Sequence, residues 1–190
     1  MSDESAVSPN VAPGELELVR RFVNSLDVED GVDQFESASS LEGWLREREL
    51  IEPGDTIKEE ERSRAIAFRE GLRDLMLVHH GLPLRDGTID GLNEALGGAN
   101  LRPEFRGDAL LLRPGSACQG IDGVMARLVA IIHRAMIDDR WSRLKVCPAD
   151  DCQWAFYDHS KNRSGKWCSM AVCGNRAKAR SFRQRSGTEA

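Results

Sequence analysis

The chain has 190 residues, 41% of them hydrophobic and 30% charged, with a formal net charge of −5. That balance fits a globular chain of one domain, or of one domain with a small module, large enough to fold without a disulfide staple. An acidic total argues against nucleic acid, but charge acts over about one Debye length, ~8 Å at physiological salt. It is divided unevenly here: residues 1–139 carry 15 Lys+Arg against 27 Asp+Glu, a net of −12, and residues 140–190 carry 11 against 4, a net of +7.

Residues 1–13, with Pro9 and Pro13, read as a flexible leader without the basic start or apolar run of a signal peptide. From Gly14 the pattern is helical, with Leu16, Val19, Phe22, Val23 and Leu26 on one face. Ser39 or Ser40 caps a second helix through Leu41, Trp44 and Leu45 to about Leu50, and Pro53-Gly54 stops it. Asp55 or Thr56 opens a long helix that runs to about His80, with Glu59, Glu60 and Glu61 in its first turns, where the macrodipole favours anions. A short helix follows from Thr88 or Asp90 to Leu96. Leu101 to Leu112 then reads as two short strands around Gly107-Asp108.

Ile121, Val124, Met125, Leu128, Val129, Ile132, Ala135 and Met136 form the strongest helical stripe, with His133 expected as a satisfied core histidine. Asp122, Arg127, His133 and Arg134 interrupt this stretch, so it falls short of the ~20 apolar residues of a membrane span. The reading is a cytoplasmic, mainly α-helical domain over 14–140 with a small β-hairpin. A basic segment over 141–185 and a flexible tail over 186–190 complete the chain.

Four of the five cysteines lie in the basic segment: Cys147, Cys152, Cys168 and Cys173, in the arrangement C-x4-C, fifteen residues, C-x4-C. Two pairs at this separation match the layout of tetrahedral zinc sites, although C-x2-C is commoner. In a reducing compartment two disulfides are disfavoured, and a thioredoxin-like pair would need C-x2-C in a βαβ setting. Four thiolates also leave no open position for catalysis, so one structural zinc per chain is expected, its charge offset by Lys145, Lys166 and Arg176. Cys118 stands alone. Trp154, Phe156 and Trp167 supply a mini-core, Gln153–Asp158 alternates like a strand, and Lys166–Cys168 returns beside it. Arg176 to Arg185 reads as a helix. Knuckle, hairpin and ligand-bearing helix together make a treble-clef-like zinc finger.

These residues resemble the CGNR zinc-finger family. The signature is Cys173-Gly174-Asn175-Arg176, within the pattern Leu144-Lys145-Val146-Cys147-Pro148, Cys152, Trp154, Phe156, Asp158, Ser160, Asn162, Arg163, Trp167-Cys168-Ser169-Met170 and Lys178. Members of this family carry an N-terminal helical ABATE domain and are proposed to be stress-induced bacterial transcription regulators. Residues from about 14 to 140 are similar to that domain in length and order, including Phe22-Val23-Asn24-Ser25. The resemblance implies a four-cysteine zinc module with proposed DNA binding.

Phosphate contacts need cations. The segment offers Lys161, Arg163 and Lys166 in a loop and Arg176, Lys178, Arg180, Arg183 and Arg185 on the helix, with Asn162 and Asn175 suited to a base edge or phosphate. On a helix Arg176, Arg180 and Arg183 share a stripe. The competing expectation is a zinc-dependent module that docks on protein, including on its own acidic body, which would mask the basic surface until a small-molecule effector or stress signal relieved it. No catalytic motif surrounds His79, His80, His133 or His159, and no phosphate-binding loop is present, so no enzyme activity is expected.

Overall fold

The computed structural model describes residues 10–186. The first nine residues of the expected leader and positions 187–190 of the expected tail lie outside the described residues. Six helices and three two-stranded ladders are described, so the fold is mainly α as the periodicities predict.

Helix α1 (Leu16–Val23) buries Leu16, Val19, Phe22 and Val23. It stops before Leu26 because the chain turns into a ladder the sequence did not suggest, β1 (Leu26–Asp27) against β2 (Val32–Asp33). Helix α2 (Ala38–Arg46) is capped by Ser37, not Ser39 or Ser40: Ser37 has the extended backbone a cap needs, and its side chain accepts the Ser40 N–H. Helix α3 (Glu59–Val78) starts later than Thr56, where the Glu61 carboxylate accepts the Lys58 N–H at 2.8 Å. Helix α4 (Thr88–Leu96) packs closely on α3 because Gly71 has no side chain; a Cβ there would lie 2.6 Å from Leu92. The expected hairpin is β3 (Leu101–Arg106) paired with β4 (Ala109–Pro114), and the strongest stripe is α5 (Gly120–Ile137).

Phe22, Phe35, Trp44 and Phe68 meet at ring separations of 5.3–6.1 Å in the core. Past α5, a 3-10 turn (Trp141–Arg143) leads into β5 (Leu144–Val146), which pairs antiparallel with β6 (Ala155–Tyr157). The partner of β6 is therefore β5, and the expected return strand at Lys166–Cys168 does not form. Leu144, Val146, Ala155 and Tyr157 belong to the same buried core as α1, α3 and α5. The body core thus extends past residue 140, beside a second buried cluster of Cys147, Ala149, Cys152 and Cys173. The hairpin that carries the cysteine knuckle is a layer of the body.

Polar contacts fix that layer. Asn24 both donates to the Ala155 carbonyl (2.9 Å) and accepts the Ala155 N–H (2.7 Å), closing a buried two-bond link from α1 to β6. Arg73 of α3, 2% exposed, donates to the Gln153 carbonyl at 2.7 Å and the Val23 carbonyl at 2.8 Å. The flexible leader expected over 1–13 is corrected at its end: Asn10 donates to the Cys168 carbonyl and accepts the Tyr157 N–H, and Ala12 is buried. At the other end Ser186, expected in the tail, is the last residue of α6 (Asn175–Ser186).

Candidate metal centre

Each cysteine is placed by a short, specific piece of backbone. Cys147 follows β5, and its N–H bonds to the Trp154 carbonyl at 2.9 Å. The chain reverses over Pro148–Cys152, where the Cys152 and Gln153 N–H groups both reach the Ala149 carbonyl. Cys168 lies at a bend ahead of a π turn (Met170–Gly174) that carries Cys173 and feeds directly into α6. A Cβ at Gly174 would stand 2.8 Å from the Met170 sulfur and 3.3 Å from the Trp167 ring, so a side chain there would push the end of Met170 aside.

The four Sγ atoms lie within 4.8 Å of one another, with Cys147, Cys152 and Cys173 buried. Cys152 to Cys168 is 3.6 Å and Cys168 to Cys173 is 3.7 Å. A disulfide requires about 2.05 Å. A tetrahedron of sulfurs about 2.3 Å from a central zinc has edges of about 3.8 Å. The sulfurs stand at the spacing of a tetrathiolate site.

Their protonation makes the same point. Hydrogen bonds from Cys152 and then Cys168 pull Cys147 down to about 2, so it ionises first. Its thiolate in turn pushes Cys152 up to about 12 and Cys168 further up, while burial raises Cys173. Four sulfurs this close cannot all be anionic unless a cation lies among them. The donor set fits one structural zinc, held by Cys147, Cys152, Cys168 and Cys173.

Trp154 and Trp167 pack against the cysteine cluster with Ala149, as the mini-core reading expects. Phe156 instead sits 6.1 Å from the His80 ring. Lys145, expected to offset thiolate charge, has another role. Its ammonium is 4% exposed and donates to Asp158 (2.8 Å) and to the carbonyls of Arg163 (2.6 Å) and Gly165 (3.1 Å). Asp158 also accepts the N–H groups of Ser160 and Gly165. Burial opposes its ionisation, but Lys145 and these hydrogen bonds overcome it and hold the carboxyl down at about 2. The pair closes the 158–165 loop against β5.

Two histidines set aside in the sequence also brace β5. The His79 Nδ1 stands 2.7 Å from the Leu144 carbonyl, which can only accept, so that nitrogen carries the hydrogen. Burial lowers the pKa of both His79 and His80, with the field of Lys145 adding to the effect. His133, expected in the core, is exposed on the outer face of α5.

The residues expected at DNA divide into two sets. Arg163 forms a two-pronged ion pair with Asp139 and bonds to Ser142. Arg176 pairs with Glu29 at 2.5 Å, and Arg176 and Arg180 reach Asp151 at 4.0 and 3.7 Å. The Asn175 side chain donates to the Ala171 carbonyl, and Lys166 stands over the Trp167 ring. Lys161, Asn162, Lys178 and Arg183 are exposed and form no ion pair or side-chain hydrogen bond among the described residues. The side chain of Arg185 lies outside the described residues.

A helical body fused through a shared core to a four-thiolate, treble-clef-like finger defines a two-part zinc-finger protein. Residues 16–138 match the model of the ABATE family, described as a putative stress-induced transcription regulator, and residues 143–186 match the CGNR zinc finger. The chain belongs to this family, as its C-terminal residues suggested. No curated protein matches the chain.

Proposed function

We propose that the protein is a DNA-binding transcription regulator whose zinc is structural and whose body serves sensing or assembly. The observation that carries this reading is α6. Its described residues are exposed apart from Ala177, it packs on the π turn that precedes it, and it carries Arg176, Lys178, Arg180 and Arg183. A cationic helix with so little to bury gains most from a polyanion, because each neutralised phosphate releases counterions. Arg176 and Arg180 meet carboxylates only through ion pairs about 40–60% exposed, which phosphates can displace at low cost. The four-thiolate set leaves the metal no position for water or substrate, which supports a structural and not a catalytic role. Free thiols at such a site, and a described chain with no helix long and apolar enough to cross a membrane, support a cytoplasmic setting.

The test is DNA affinity of the zinc-loaded full chain against salt. A log–log slope should fall by about one for each of Lys178→Gln and Arg183→Gln. Selection from random DNA then decides whether any sequence is preferred. The protein-docking reading is favoured by the Arg176–Glu29 contact, which shows that the helix accepts carboxylates. No salt-dependent binding and no enriched sequence would overturn the DNA reading and leave docking as the alternative.

A further inference from the structure

The body holds a cleft of about 270 Å³ between β4 and the outer face of α5. Its walls are about half apolar and half polar, the apolar part coming from side chains such as Leu110 and Leu112 on the ribbon and Ile131 and Ile137 on the helix. The ribbon is poorly supported there. None of Leu101, Leu110, Leu111 and Leu112 joins the buried core or the apolar side chains packed against it, and Leu110 is 56% exposed. A two-stranded ribbon is marginal in water unless an apolar face is covered.

The cleft is also cationic in a part of the chain with a net charge of −12. Arg113, Arg127 and Arg134 line it, and Glu15 is its only carboxylate among the described residues. These guanidiniums are incompletely engaged. Arg113 forms no ion pair or side-chain hydrogen bond among the described residues, and Arg127 stands 4.0 Å from Glu15, with both side chains well exposed. Arg134 is held by Asp138 at 3.1 Å.

We propose that this cleft binds a small amphipathic anion, an aliphatic or aryl carboxylate, its apolar part between β4 and α5 and its carboxylate on Arg113 and Arg127. The volume lies just under the ~300–1,000 Å³ of pockets for drug-sized ligands, so the ligand is small. Its position suits a sensor. The lining ends at Ile137, two residues before Asp139, which clasps Arg163 of the finger. That sensing role rests on the regulator reading above; the binding site itself does not.

Amide NMR of the zinc-loaded full chain, titrated with sodium octanoate and separately with octan-1-ol, tests it without DNA. Octanoate should give saturable shifts confined to β4 and the second half of α5, with octanol roughly tenfold weaker, the difference one charge-assisted hydrogen bond makes. Arg113→Gln should weaken octanoate several-fold and leave octanol binding unchanged. Because the Arg113 side chain has no ion pair or hydrogen bond among the described residues, the spectrum of the free variant should match wild type, and Arg127→Gln supplies a second, independent variant. The site is overturned if octanoate gives no saturable shift, if shifts fall elsewhere, if octanol binds as well as octanoate, or if both variants bind octanoate as wild type does. None of these results bears on whether α6 binds DNA.

Discussion

Asp158→Asn removes one charge from the ion pair that closes the finger loop on β5. The pair is almost sealed, with Lys145 and Asp158 side chains 4% and 2% exposed. Asp158 is held at about 2 against an ordinary value of 3.8, a displacement of roughly two units. At 1.36 kcal/mol per unit the native environment favours the carboxylate by about 2–3 kcal/mol. The variant also leaves a buried ammonium facing only neutral oxygens, with no counter-charge, so the loss should reach about 2–4 kcal/mol. Urea unfolding at neutral pH and fixed free zinc, followed by tryptophan fluorescence, measures it. The folded value is depressed, so the stabilisation is fully present above 3.8 and is lost as pH falls through about 2. The gap between wild type and variant should therefore stay constant from about pH 5 to 8. Adding Lys145→Met to Asp158→Asn should restore part of the loss, since the stranded charge goes with it. A single variant within about 0.5 kcal/mol of wild type would refute the argument, because a surface pair behaves that way.

Three further outcomes follow from the same contacts. Asn24→Ala leaves the Ala155 N–H without its side-chain acceptor and the Ala155 carbonyl with only Arg20 at 3.5 Å, and should cost about 2–3 kcal/mol, with zinc released at lower urea than in wild type. His79 is half-buried and neutral, with its pKa lowered by that burial, so its contribution is complete above 6.5 and fades as pH falls through the folded value. Wild type should then lose more stability than His79→Gln between about pH 7.5 and 5.5, and equal losses would contradict the assignment. Glu29→Gln frees Arg176 from a half-exposed pair and should raise DNA affinity by up to about fivefold; unchanged affinity would mean that phosphate does not compete for Arg176.

The sequence disclosed whatever repeats along one element. Apolar stripes at 3.6-residue spacing placed α1, α3 and α5, and paired cysteines placed the metal ligands, because both signals are local. It concealed whatever depends on partners far along the chain. The alternation of Gln153–Asp158 announced β6, but β5 is three residues long and buried throughout, and Lys145 in its middle reads as a surface residue, so the partner of β6 was not legible. Pairing of β6 with β5, 13 residues apart at Leu144 and Tyr157, joined the finger to the body. A helical wheel put Arg176 on a stripe, but nothing near it in sequence announces Glu29, 147 positions away. The first cap of α2 was missed by two residues because any of three serines satisfies the composition rule, and only backbone geometry selects Ser37.

The central claim is that four thiolates hold one zinc on a layer of the body core. Native mass spectrometry of the purified full chain measures this directly. One zinc per chain is predicted, absent from the Cys147→Ser, Cys173→Ser double variant, whose α1–β6 and α3–β5 contacts should loosen along with the site. A folded chain that carries no metal, or a double variant that still holds one zinc, would contradict it.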